Sequence, residues 1–198
     1  MTDTKSDVPA ALVEVRKAYR LLHAYHQRIS DLLRLIHGTL AERGLRFQKW
    51  SPVNVWLPSS RRAPFHHWAW DLTPAYQTSC VWEGTGGGWS RQIHVHMIAD
   101  TGYDPSVGDD PSPEHFKPAE QSASEVRYGM YRTRARKADF GAAWKQISGL
   151  PDPTDQNEHK VMVGQDEYVY RHLARSLSDL PDREAVDREL LLPLRSWP

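Results

Sequence analysis

From Leu12 onward, apolar residues recur three and four positions apart: Leu12, Val15, Tyr19, Leu22, Ile29, Leu33, Ile36 and Leu40, with His26 in the one gap. Only an α-helix brings positions with that spacing onto one face. The neighbouring row Ala11, Ala18, Tyr25 and Leu32 widens the stripe to about three positions in seven, the width of a helix lying on its own core and broader than a coiled-coil seam. Asp7 is placed to cap the start, Pro9 suits the first turn, and Gly44 after Arg43 is a stop signal, so the spacing predicts a helix over 9–43. At ~1.5 Å per residue such a helix is roughly 50 Å long, against a diameter of about 40 Å for a compact domain of this length. Either Gly38 breaks the helix, or its end projects and meets a partner.

After Gly44 the pattern changes to short segments rich in aromatic and β-branched residues, broken by Pro and Gly: 46–50, 53–57, 66–72, 78–83 and 90–100. These predict antiparallel strands joined by turns. In the last, Ile93, Val95, Met97 and Ala99 alternate with Gln92, His94, His96 and Asp100, giving one apolar and one polar face. Residues 101–124 carry six prolines and glycines among acidic side chains such as Asp104, Asp109, Asp110 and Glu114; a loop of this length is either functional or disordered. Segment 126–134 predicts another strand, 139–148 a short helix capped by Asp139, and 160–164 with 168–174 a hairpin, although Tyr168, His172 and Leu173 equally suit a helix over 168–177. Residues 182–195 predict a closing helix with Pro193 as a late kink. The expected fold is α+β: a long N-terminal amphipathic helix packed on a mainly antiparallel sheet of six to seven strands, with a short C-terminal helix. One domain is expected over 1–198, made of a tail 1–8, helix 9–43, strand-rich region 45–100, acidic loop 101–124 and mixed region 125–198.

A chain of 198 residues suits one core. Its 25 basic and 25 acidic side chains balance, so any attraction to nucleic acid or anionic lipid has to come from a local patch. The single cysteine, Cys80, cannot form an internal disulfide, which fits a reducing compartment. Residues 1–10 are polar, and no apolar run is long enough to span a bilayer. The expectation is a cytoplasmic, unanchored protein.

The sharpest chemical feature is Gln92-Ile93-His94-Val95-His96-Met97-Ile98, because alternate residues of a strand share a face and two imidazoles then point the same way. Such a pair holds a divalent metal ion if a third ligand, from His66, His67, Asp71 or His115, folds close by. The string His94-Val95-His96-Met97-Ile98 also resembles the histidine-triad nucleotide hydrolases. That resemblance covers fewer than ten residues and implies a nucleotide-directed hydrolase, with His96 matching the nucleophilic middle histidine and His94 the first. The third histidine is replaced here by Ile98. The run Gly84-Thr85-Gly86-Gly87-Gly88 lacks the Lys-Ser/Thr ending of a phosphate loop and predicts a hairpin turn. Cys80 sits in an aromatic strand as a buried small residue, and no nucleophile elbow is present.

Binding features are richer. Six of the eight tryptophans fall between Trp50 and Trp89, and Trp and Arg are enriched at binding hot spots. If the strand after Val126 runs far enough, Arg132, Arg134 and Arg136 share a face near Arg127 and Tyr131, a stripe able to track a phosphate backbone or grip an acidic partner. The preceding acidic loop could instead fold back and neutralise it. Trp68 and Trp70 share a face with His66 and could form an aromatic platform. His26 in the helix seam is expected to be a hydrogen-bonded core residue. Neither a complete nucleophile, base and orienting group nor a full metal-ligand set can be assembled from these residues. The expected function is therefore a non-catalytic interaction or accessory protein without a cofactor. It would bind another protein, a second copy of itself or nucleic acid through the N-terminal helix and a sheet surface carrying Trp68, Trp70, Arg127, Tyr131, Arg132, Arg134 and Arg136. The alternative is a small metal-dependent or nucleotide-directed hydrolase with His94 and His96 as its catalytic or metal-ligating pair.

Overall fold

Helix α1 runs without a break from Val8 to Glu42 in the computed structural model, which describes residues 8–52, 77–102, 116–147 and 157–197. Gly38 does not interrupt it: the residue lies on the exposed side with nothing near its Cα to force a kink. The 35-residue helix is therefore roughly 52 Å long at ~1.5 Å per residue, and only its second half is on the core. Ile29, Leu32, Leu33, Ile36 and Leu40 are fully buried, whereas every residue from Pro9 to Leu22 is exposed. The broad stripe, expected to dock on the sheet throughout, does so only from His26 onward. His26 itself is buried, edge-on to Tyr25.

Gly44, at φ 75°, ends the helix. The Gly44 amide donates to the Ala41 carbonyl at 2.9 Å and the Leu45 amide to the Leu40 carbonyl at 3.0 Å, the paired bonds of a Schellman cap. The left-handed backbone this cap needs is open to glycine without a Cβ penalty. Leu45 is buried beside Leu40, and the chain turns directly into strand β1, Arg46–Pro52.

Six strands follow in one antiparallel sheet: β1, β2 (Gln77–Gly86), β3 (Trp89–Ile98), β4 (Glu125–Thr133), β5 (His159–Val163) and β6 (Asp166–Ser176), in the spatial order β1-β2-β3-β4-β6-β5. The fold is α+β, as expected. One sheet face, with Cys80, Trp82, Ile93, Val95, Tyr128 and Leu173, packs against the buried half of α1. Trp82 adds a polar tie across the layer, its indole N–H donating to His37 Nδ1 at 3.2 Å. The closing segment joins this core through Val186, Leu190, Leu191, Leu194 and Trp197. It comprises α3 (Arg183–Val186), one π-helical turn (Asp187–Leu191) and α4 (Leu192–Ser196). The wide turn falls just before Pro193, which lacks an amide donor and crowds the preceding turn. Arg43, just past α1, donates to the carbonyls of Leu194 and Trp197, and Arg28 of α1 to that of Leu180, so carbonyls at both ends of the closing segment gain partners from the N-terminal part of the chain.

On the opposite face lies α2, Phe140–Ile147, capped as expected by the Asp139 carboxylate accepting from the Ala142 amide at 2.9 Å. Ala143 and Ile147 pack on Tyr131, Tyr168 and Tyr170. Segment 168–177 is mainly strand, not helix, because Tyr168 to Ser176 complete the ladder with β4. The expected strands 53–57 and 66–72, the Asp7 cap and most of the acidic loop lie outside the described residues. Strand β4 ends at Thr133, so Arg134 and Arg136 are beyond the ladder and the alternating arginine face does not form.

Ile36 is fully buried between α1 and the sheet. Its replacement, Ile36→Ala, is expected to lower the unfolding free energy by about 2–5 kcal/mol, measured as a shifted urea midpoint with unchanged slope.

Candidate functional site

On the α2 side of the sheet, strand pairing builds three cross-strand rows. The first aligns Glu83, Gln92, Tyr131, Tyr170 and His159; the second Lys49, Val81, His94, Gly129 and His172; the third Ser79, His96, Arg127 and Ala174. Period-2 alternation keeps apolar partners such as Ile93 and Val95 on the α1 side and presents these side chains to α2. His94 and His96 thus share a face, as the alternation predicts, and β6 adds a third imidazole, His172.

Gly129 stands directly between His94 and His172. A Cβ there would lie 2.5 Å from the Tyr131 hydroxyl and 2.8 Å from its Cε2, so the absence of a side chain lets the Tyr131 ring fold back into the gap. In that position the Tyr131 hydroxyl is hydrogen-bonded to His172 Nε2 at 2.7 Å, and its ring meets His94 edge-on at 5.3 Å. Trp144 of α2 covers the pair, stacked on His94 at 5.3 Å and 12° and on His96 at 6.1 Å and 22°.

A relay fixes His94. The Glu83 carboxylate accepts from Gln92 Nε2, which leaves Gln92 Oε1 to face His94 Nε2. An amide oxygen only accepts, so His94 donates through Nε2 and, when neutral, carries its lone pair on Nδ1. Burial pushes the His94 pKa down to about 3, helped by the charges of His96, Lys49 and His172. Burial likewise takes His96 down to about 4, with His172 and Arg127 adding to it. His172 is lowered by burial and by His159, and burial together with Tyr170 raises the Tyr131 phenol. At neutral pH the site therefore offers uncharged imidazoles and an un-ionised phenol.

Beside Trp144 a cleft of about 940 Å3 opens over His94, His96, Val81, Gln92, Lys49 and Phe140. This exceeds the room needed for a small organic molecule. A cluster of shifted ionisable groups in a cleft is the usual mark of a functional site.

Of the residues expected from sequence to bind, Arg127, Tyr131, Arg132, Arg134 and Arg136 are not brought together on one face. Arg127 lies on this face, held by Glu125 at 2.8 Å, and Tyr131 is inside the cluster. Arg132 points to the other face, where Glu158 pairs with it at 3.0 Å and the rings of Trp89 and Trp197 flank its guanidinium. Arg134 covers the Trp89 ring at 4.6 Å, and Arg136 is exposed. Trp68 and Trp70 lie outside the described residues, as do His66, His67, Asp71 and His115. Among the described residues no group of three or more His, Cys, Asp or Glu side chains is arranged to hold a metal ion. Ile98, at the third place of the histidine-triad pattern, is buried. Cys80 is fully buried, and burial pushes its thiol far above the ordinary range, as suits a structural residue. His172, Trp144 and Gly129 escaped the sequence reading; the lone glycine inside an otherwise regular strand was the available signal.

The model of one protein family, PM0109, matches residues 5–192. No curated protein and no solved structure matches the chain.

Two outcomes follow from the cluster. Gly129→Ala is expected to displace Tyr131 and cost about 1–3 kcal/mol, a cost that shrinks by at least ~0.5 kcal/mol when Tyr131→Ala is also present, as a double-mutant cycle in urea would measure. The second concerns pH. The unfolded imidazoles titrate near 6.5, while His94 and His96 stay neutral in the folded chain down to about 3 and about 4. Protons therefore bind the unfolded state first, and stability falls as pH drops below about 6.5, by on the order of 1–2 kcal/mol per histidine at pH 5. The variant His94→Gln/His96→Gln should flatten that limb of the curve, and an unchanged slope would assign the acid sensitivity elsewhere.

Proposed function

The chain belongs to the PM0109 family, and from the site it carries we propose that the protein is a non-catalytic binding protein whose cleft takes up a compact organic molecule with a flat, unsaturated ring. The observation that carries this reading is the stack of Trp144 over two neutral imidazoles, His94 and His96, at the wall of the cleft. Aromatic walls favour a planar ligand, and a few fixed polar groups orient it. The lone pair on His94 Nδ1 accepts from a donor on the ring, and Gln92 and Ser79 supply further polar edges. Lys49 has no ion-pair partner among the described residues and Arg127 stands next to His96, so a neutral or anionic ligand is favoured over a cationic one.

Binding of another macromolecule, the role favoured by the sequence pattern, would fall to the exposed half of α1. Nucleic acid is the weaker partner, because Arg127 and Arg132 are already paired with Glu125 and Glu158 and no longer form one stripe. None of the described helices is long and apolar enough to cross a membrane, and a single buried thiol agrees with action in the cytoplasm.

One observation favours hydrolysis as the second reading. His96 lines the cleft beside Arg127 and is neutral at pH 7, so its ring could take a proton from a water held there, as a weak base given its lowered pKa.

Thermal-shift and calorimetric titration with purine, pyrimidine, indole and pyridine compounds, each in a neutral and a carboxylate- or phosphate-bearing form, decides between these. At least one class should bind with Kd below about 100 µM, at least tenfold more weakly to Trp144→Ala, and be recovered unchanged. The absence of any such binder, or equal affinity in Trp144→Ala, would sink the proposal. Conversion of the ligand that stops in His96→Ala would replace it with the hydrolytic reading.

A further inference from the structure

A second cleft, of about 660 Å3, adjoins the one beside Trp144: Gln48, Glu83, Gln92, Phe140 and Gly141 border both. The space over the sheet therefore continues from the stacked histidines to strand β1, farther than a planar ring alone would fill. What it reaches there is positive charge. Arg46 stands opposite Glu83 and Lys49 opposite Val81, in the cross-strand rows of Gln92 and His94. Residues three apart on a regular strand face opposite ways, so it is the bulge between Phe47 and Lys49 that turns both cations to the α2 side.

We propose that this end of the groove is a phosphate subsite, and that the ligand of the cleft is a planar ring carrying a phosphate on a short linker, the layout of a nucleoside monophosphate. Three observations point to it. First, the cations are uncommitted: Arg46 and Lys49 are exposed, and neither side chain has an ion pair or a hydrogen bond among the described residues. Second, positive charge is unmatched beside them. Arg91 lines the second cleft with its Nε buried and without a hydrogen-bond partner among the described residues, and its guanidinium meets only the Arg43 carbonyl, at 3.4 Å. Third, the carboxylates facing the same space are engaged elsewhere, Glu83 by Gln92 Nε2 and Asp139 by the Ala142 amide. Three cations, Arg46, Lys49 and Arg91, therefore stand against two carboxylates that already accept hydrogen bonds, a balance that favours an anion.

Phosphate fits these groups better than carboxylate does. One guanidinium fork takes up both oxygens of a carboxylate, whereas a guanidinium and an ammonium arriving from separate positions match the larger charge and the three free oxygens of a phosphate. Ser79, on the wall of the same cleft as Lys49, adds a hydroxyl. Strand spacing puts the Lys49 backbone roughly 10 Å from that of His94 and the Arg46 backbone about 12 Å from it. A ring stacked beside Trp144 and His94 meets these side chains only through a linker, so ring and phosphate are separate parts of one ligand. The subsite deepens the ring-binding reading of the cleft and rests on it for the ring, while the cationic end can be tested without any ring.

The test titrates the full chain calorimetrically with matched pairs, each common ribonucleoside against its monophosphate and pyridoxine against its phosphate, and with inorganic phosphate alone at ionic strength matched by chloride. At least one phosphorylated compound should bind at least about tenfold more tightly than its parent. Arg46→Gln/Lys49→Gln, which replaces two exposed side chains, should abolish that gain and leave the affinity of the parent unchanged, and the charge-preserving Arg46→Lys/Lys49→Arg should keep most of it. Equal affinity for parent and phosphate, or a gain that survives Arg46→Gln/Lys49→Gln, would overturn the subsite and leave the ring reading standing. Inorganic phosphate that binds the native chain and not that variant, with no ring compound depending on Trp144, would instead keep the subsite and remove the ring. Failure of every phosphate-bearing probe to bind would overturn the subsite.

Discussion

The contact between the second half of α1 and one face of the sheet carries the rest of the molecule. Leu32, Leu33, Ile36 and Leu40 bury against Trp82, Ile93 and Val95, and the closing helical segment fills what remains of that side through Leu190, Leu194 and Trp197. Burying large aliphatic and aromatic side chains is the main favourable term available to a chain with no disulfide. Because this layer takes the apolar face of every central strand, the opposite face is released from the duty of being core. That is why it can hold three histidines, a glutamine and a tyrosine at a density an ordinary core would not tolerate.

Partial cover by α2 gives that second face its chemistry. Were it open to water, His94 and His96 would titrate like free imidazoles; with Trp144 stacked above them, desolvation holds both neutral far below pH 7. Most of the polar groups that remain are paired within the cluster, Glu83 to Gln92 to His94 and Tyr131 to His172, as buried polar groups generally are. A site of this kind binds through shape, stacking and neutral hydrogen bonds, and depends little on net charge, in keeping with the charge balance of the chain.

Local regularities were legible wherever a single period governs the structure. The three-and-four spacing locates α1 to within a residue or two of each end; alternation places His94 and His96 on one face; Asp139 marks the start of α2 and the glycine run its hairpin. The stripe width was a poor guide to docking, since periodicity reports that a face is apolar and not how far the sheet beneath it reaches. The arginine series misled for a related reason: alternation holds only inside a ladder, and β4 ends at Thr133 before Arg134 and Arg136. Charge counting also treated Arg132 as available, when Glu158 and two tryptophan rings already hold it.

By itself, the sequence determined most of the described elements, their order and which residues of a strand share a face, because helix and strand periods are properties of the local backbone. It also determined that two histidines would project together from β3. Only the tertiary structure decided what they meet. His172 lies 78 positions beyond His94 in the chain and reaches the same row through the β4–β6 ladder, while Trp144 arrives on a helix from the layer above. Contacts between residues so far apart depend on strand order and register, which the whole core selects at once. The same holds for the N-terminal helix: its apolar seam is written in the spacing, but only the tertiary structure decides that its second half, from Ile29 to Leu40, is the part buried in the core.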